Sequence, residues 1–143
     1  MCISLGFAQK MNLQKFSVRD GLAQSTVKQV VEDDYGNLWL STNNGLSKFN
    51  GKDFENYTTT NGLPSNEITA LFFTKEVLCV GTRKGLCTYD GNKFSFTDTH
   101  KKIRGTTKKI ISKKNILHVF TSMGYYLLDV SVKPFKVDAI FYS

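Results

Sequence analysis

Leu38-Trp39-Leu40-Ser41-Thr42-Asn43-Asn44-Gly45-Leu46 returns forty positions later as Leu78-Cys79-Val80-Gly81-Thr82-Arg83-Lys84-Gly85-Leu86. A third, looser copy runs Ile116-Leu117-His118-Val119-Phe120-Thr121-Ser122-Met123-Gly124-Tyr125. The echo extends upstream, where Asp20-Gly21-Leu22 matches Asn61-Gly62-Leu63. Downstream, Asn50-Gly51-Lys52-Asp53-Phe54 matches Asp90-Gly91-Asn92-Lys93-Phe94. Threonines, glycines and apolar positions recurring in order at a period near 40 mark an internal repeat. Each unit reads as four short strands. In the first unit they run near Thr26–Glu32, then Leu38–Thr42, Leu46–Phe49 and Phe54–Thr58. The turn Asp33-Asp34-Tyr35-Gly36-Asn37 has the residues that favour local side-chain bonds and positive φ. Asn50-Gly51 is a tight hairpin signal.

Helical periodicity is absent over any three turns, and several strands are apolar on both faces, as in Ala70-Leu71-Phe72-Phe73. Sheets stacked between other sheets explain that pattern better than sheets with one wet face. A four-stranded unit of about 40 residues is the blade of a β-propeller, and closure needs about four to eight of them. The expected fold is therefore all-β, a partial β-propeller of about three four-stranded antiparallel blades. Residues 19–58, 59–98 and 99–143 are the three blades, the last degenerate. Residues 9–18 resemble the outer strand of a unit, because Leu13–Leu22 parallels Phe54–Leu63. They are expected to supply the outer strand of a closing blade whose other strands are missing. The rest of the ring would come from further blades or from association of copies of the chain.

The 143 residues are 41% hydrophobic and 13% aromatic, with Gly 11 and Pro 2, which excludes disorder and collagen. No apolar run approaches the roughly 20 residues of a membrane-spanning helix. The net charge of +7 is uneven. Residues 1–98 carry 10 Lys/Arg against 10 Asp/Glu, whereas residues 99–143 carry 9 against 2. A nucleic-acid-binding face spread along the whole chain is not indicated, and no nucleic-acid partner is expected. The basic segment Lys101–Lys114 lacks interleaved aromatics for base stacking. Lys108-Lys109 and Lys113-Lys114 bracket Ile110-Ile111, as the solvated ends of a strand would. The competing reading is a polyanion-binding patch.

Three cysteines without a Cys-x-x-Cys pair, and two histidines without neighbouring ligands, make neither a metal site nor a disulfide framework. No catalytic motif is present, so no catalytic residue, metal or cofactor is expected. Cys79 and Cys87 face each other only if the turn between their strands holds three residues; with two or four they point to opposite faces. Two buried thiols are expected in preference to a disulfide. Trp39 is expected between blades rather than against a ligand, His118 in the core, and Tyr35 in an exposed turn. At the N-terminus, Gly6 and Ala8 occupy the −3 and −1 positions of a signal-peptidase cut before Gln9. Residues 1–8 then read as the remnant of a signal peptide whose start lies upstream. A short apolar first strand is the other reading.

Gly-Leu, a spaced apolar strand, Glu-Asp-x-x-Gly-Asn-Leu-Trp-Leu-x-Thr-x-x-Gly-Leu and an Asn-Gly-x-x-Phe turn resemble the two-component regulator propeller repeat. The match is best from Gly21 to Phe54. It continues with losses from Gly62 to Phe94, where Trp39 gives way to Cys79, and keeps only the strand pattern and Gly124 in the third unit. The resemblance implies the periplasmic sensor region of a hybrid histidine kinase, with a membrane helix and kinase downstream, and small-molecule or oligosaccharide ligands. It implies a non-catalytic module in which ligand binding biases the packing of adjoining domains. A secreted propeller enzyme similar to the streptogramin-type lyases is the alternative; its catalytic residues would lie in other blades.

Propeller geometry puts the loop entering each blade and the turn between its second and third strands on one face. That face is expected to carry Arg19, Asp20, Gln24 and Ser25 of the first entry loop. From the second come Asn61, Ser65, Asn66 and Glu67, and from the turns Asn43, Asn44, Arg83, Lys84 and Ser122. Amides, hydroxyls and a few charges suit a hydroxyl-rich or anionic ligand. The competing explanation is that Asn, Ser and Gly dominate turns for backbone reasons.

Overall fold

A computed structural model of the chain describes residues 14–74, 77–95, 103–133 and 135–142, the side chains of 139–142 excepted. The proposed signal remnant, residues 9–13 of the proposed closing strand, and Lys101-Lys102 lie outside the described residues. The first sheet contains β1 (Gln29–Glu32), β2 (Leu38–Thr42), β3 (Gly45–Phe49) and β4 (Phe54–Tyr57). The second contains β5 (Ile68–Thr74), β6 (Val77–Thr82), β7 (Gly85–Tyr89) and β8 (Phe94–Ser95). The third contains β9 (Thr107–Lys113), β10 (Ile116–Thr121), β11 (Gly124–Asp129) and β12 (Lys136–Tyr142). All three are antiparallel meanders in chain order. Their first strands are neighbours, β1 beside β5 and β5 beside β9. The result is three blades in radial series, an open arc rather than a closed ring.

The expected first strand from Thr26 shortens to Gln29; before it only Lys28 N adds a bond, to Ser41 O at 2.9 Å. The second strand matches its expected bounds. Burial follows position in the arc. Every residue of β6 and β7 is buried, because the second blade is covered on both faces. In the third blade, whose forward face is open, burial alternates along β10 and β11.

Two cores result, one at each junction. Between blades one and two, Trp39, Leu46, Tyr57 and Ile68 pack with Leu78 and Tyr89. Between blades two and three, Cys79, Leu86, Leu117, Val119, Tyr126 and Leu128 meet. The β6–β7 turn holds two residues, Arg83 and Lys84, and pairs Val80 with Cys87. Cys79 and Cys87 are accordingly free, buried and on opposite faces, one in each core. Burial pushes the Cys79 thiol up to about 12 and raises that of Cys87 as well.

One expectation is corrected. His118 is not a core histidine. It lies three residues before Thr121, as Trp39 precedes Thr42 and Cys79 precedes Thr82, so it points forward along the arc. In the third blade the forward face is uncovered. There His118 Nδ1 bonds Tyr125 OH, with Phe120 stacked on the same tyrosine. The lysine-rich strand behaves as expected among the described residues: Lys108, Lys109, Lys113 and Lys114 are all exposed around β9.

The segment before the first blade repeats the segment before the second. Ser17 and Asp20 form a capping box on a 3-10 turn, Val18–Asp20, and Thr58 and Asn61 form the same box on Thr59–Asn61. Each turn ends at a glycine in the left-handed region, Gly21 at φ 106° and Gly62 at φ 102°. Phe16 then sits 4.9 Å from the Phe49 ring and 5.4 Å from Phe54. Tyr57 sits 5.6 Å from Tyr89 and 5.3 Å from Phe94. Phe16 thus stands to blade one as Tyr57 stands to blade two. Residues 14–17 pair with no strand among the described residues.

Candidate functional site

The antiparallel blades put two sets of loops at opposite ends. At one end the β2–β3 and β6–β7 turns meet the entry loops. Thr42 Oγ1 donates to Gly45 O and accepts from Asn44 N, and Thr82 Oγ1 does the same for Gly85 and Lys84. Successive blades are stitched there, by Gly45 N to Asn66 O at 2.8 Å and Thr106 Oγ1 to Arg83 O at 3.2 Å. Asn43 N donates to Gln24 Oε1, and Arg83 pairs with the Glu67 carboxylate at 3.1 Å.

Asn43, Asn44, Ser65, Asn66, Arg83 and Lys84 therefore share one face, and Ser122 joins it through Thr106. Much of its polarity is committed to the backbone. Asp20 and Asn61 close the two capping boxes, Asn66 Oδ1 accepts from Thr59 N, and Ser65 Oγ accepts from Glu67 N. Ser25 and Arg19 lie on the same entry loop, with Arg19 exposed. Among the described residues no group of three or more His, Cys, Asp or Glu side chains could hold a metal ion.

At the other end, the turn Asp33–Asn37 is built around one carboxylate. Asp33 accepts from Tyr35 N and Asn37 N on Oδ1, from Asn37 Nδ2 on both oxygens, and from Trp39 Nε1 on Oδ2 at 2.9 Å. Burial acts to raise its pKa, but these donors together hold it below the ordinary value. A cleft of about 330 Å³ opens beside this turn, between blades one and two. Its buried floor is Trp39, Leu78 and Tyr89, with half-buried Phe73. Lys48 lines it with Nζ 5.4 Å from the Trp39 ring centroid, and Asp90 lines it from the β7–β8 turn. Tyr35 stands at its side, 82% exposed. Reading blades one at a time misses this cleft, since its parts come from non-equivalent turns of neighbouring repeats.

The model of the two component regulator propeller family matches residues 21–44. Residues 21–44 are similar to this propeller repeat. The matched segment includes both the Asp33–Trp39 bond and the Thr42 turn. A histidine kinase from Formosa agariphila is 33% identical over 95 residues, which is 63% of this chain and 7% of that protein. Among solved structures, the extracellular domain assigned to a hybrid two-component system of B. thetaiotaomicron superposes with TM-score 0.74. It is 24% identical, and the match covers 90% of this chain and 20% of that domain. A second extracellular domain from the same organism, assigned to a one-component system, gives TM-score 0.66 at 18% identity over 80% of this chain and 15% of that one. The chain thus spans a small fraction of the proteins it matches. No helix among the described residues is long and apolar enough to cross a membrane.

Proposed function

We propose that this chain is the N-terminal arc of a periplasmic, non-catalytic propeller sensor, which passes ligand binding to a downstream histidine kinase region. The observation that carries the reading is the radial series itself. Three four-stranded blades, the first similar to the regulator repeat, stack through two cores and leave a forward face uncovered, as one sector of a larger wheel would. The 33% identical kinase and the extracellular domains of similar fold support the same assignment. Phe16 and its capping turn fill the outer position against blade one, which supports residues 9–18 as the outer strand of a closing blade. The remaining blades are the preferred partner for the open faces, ahead of a second copy of the chain.

The recognition surface in this reading is the stitched face carrying Asn43, Asn44, Asn66, Arg83 and Lys84, with an oligosaccharide-type ligand. Hydroxyl groups donate and accept, and this face supplies both functions. Titration of the isotopically labelled chain with neutral oligosaccharides tests it. Amide shifts clustered at residues 43–44, 65–67 and 83–84 are expected. Shifts confined to other regions, or none with any sugar, would contradict the assignment.

A further inference from the structure

We propose that the cleft between blades one and two is a second binding site, which takes a zwitterionic α-amino acid with an apolar side chain. The argument starts from two opposite charges that line one chamber without meeting. Lys48 has no carboxylate within 4 Å among the described residues. Its ammonium lies over the Trp39 ring, with its donors free. Asp90 Oδ1 accepts from Asn92 N and Lys93 N, while Oδ2 has no bond among the described residues. The third charge, Asp33, stays ionised, but its oxygens are occupied by its own turn and Trp39. Among the described residues that line the cleft, the Lys48 ammonium and Asp90 Oδ2 therefore remain open to hydrogen bonds from a ligand.

The charged groups left open decide among ligand classes. A simple cation would meet Lys48, and a simple anion would meet Asp90. A purely apolar molecule would strip water from both without compensation. A zwitterion answers each with its opposite, carboxylate to Lys48 and ammonium to Asp90, through charge-assisted hydrogen bonds. Half-buried Phe73, above the buried Trp39 and Leu78, then gives its side chain an apolar surface. The size agrees, since about 330 Å³ is at the small end of ligand pockets and suits a single amino acid rather than a chain of sugars.

Trp39 is the only tryptophan in the chain and forms part of the cleft floor, so its emission reports occupancy directly. The test titrates the full chain with leucine, N-acetyl-leucine, leucinamide and glucose. Leucine should give a saturable change in Trp39 emission, and each singly charged analogue should bind at least about tenfold more weakly. Lys48→Met keeps the stem over Trp39 and should erase the preference for leucine over leucinamide. Asp90→Asn keeps the turn's Oδ1 acceptor and should erase the preference for leucine over N-acetyl-leucine. No saturable response to leucine, an equal response to glucose, or preferences that survive both substitutions would overturn the proposal. Sugar-induced shifts on the stitched face without a leucine response would sink this site and leave the sensor reading standing.

Discussion

The two blade junctions solve one packing problem with different chemistry. The first is filled by rings. Trp39 lies 5.6 Å from Tyr57 and 5.2 Å from Tyr89, with Phe94 against both tyrosines. It also carries a backbone clamp, as the Gln29 amide accepts from Leu71 N at 2.9 Å and donates to Leu71 O at 2.8 Å. The second junction relies on missing side chains. Cys79 stands where Trp39 stands, Ala70 where Gln29 stands, and a Cβ on Gly81 would lie 2.6 Å from Thr107 Cγ2 and 3.0 Å from Ala70 Cβ. One repeat backbone thus accepts a wide aromatic seam or a close aliphatic one. The tryptophan of the repeat is a seam residue, which explains why its loss at Cys79 leaves the fold intact.

Breaking the first seam should have the largest effect. Trp39→Ala removes a fully buried side chain and one of the donors to the Asp33 carboxylate, so a loss of about 3–5 kcal/mol is expected in urea unfolding followed by circular dichroism. A loss below about 1 kcal/mol would show that this seam is not the main support. At the second seam, Gly81→Val should cost about 1–3 kcal/mol by overpacking. Adding Thr107→Ala should recover part of that loss; additivity of the two changes would break the close-approach account. Gln29→Leu should cost about 1–2 kcal/mol, since it frees two groups on the β5 edge. Gln29→Glu, which keeps the acceptor for Leu71 N and loses the donor, separates the two bonds.

The smallest effect is acid sensitivity. The folded Asp33 pKa is depressed below its unfolded value, so its contribution is present above the ordinary aspartate range and lost as pH falls through the folded value. Asp33→Asn should flatten stability against pH in the acid limb alone. An unchanged limb would mean that the turn does not depend on the charge.

The blades were legible in the sequence because their markers are backbone necessities. Thr42, Thr82 and Thr121 each bond the glycine-led strand that follows, and Gly21 and Gly62 end capped turns. Those needs hold wherever the neighbours lie. Facing direction was less legible. His118 sits in an apolar run like a core residue, and only its phase against Trp39 and Cys79 shows that it points forward onto an uncovered surface. The stitched face follows from topology, but the bonds that occupy Asp20, Asn61 and Asn66 depend on local side-chain geometry. The cleft was the least legible feature, because Lys48 and Asp90 are 42 residues apart in different repeats and converge beside the non-equivalent Asp33–Asn37 turn.

Backbone hydrogen exchange, resolved by residue, is the most direct measurement of the arc. The account predicts the slowest amides in β6 and β7, shielded from both sides. Faster exchange is expected in β10 and β11 despite their equal or greater length, because one face of their blade is open. Protection in the third blade equal to or above that in the second would contradict radial stacking with a sandwiched centre.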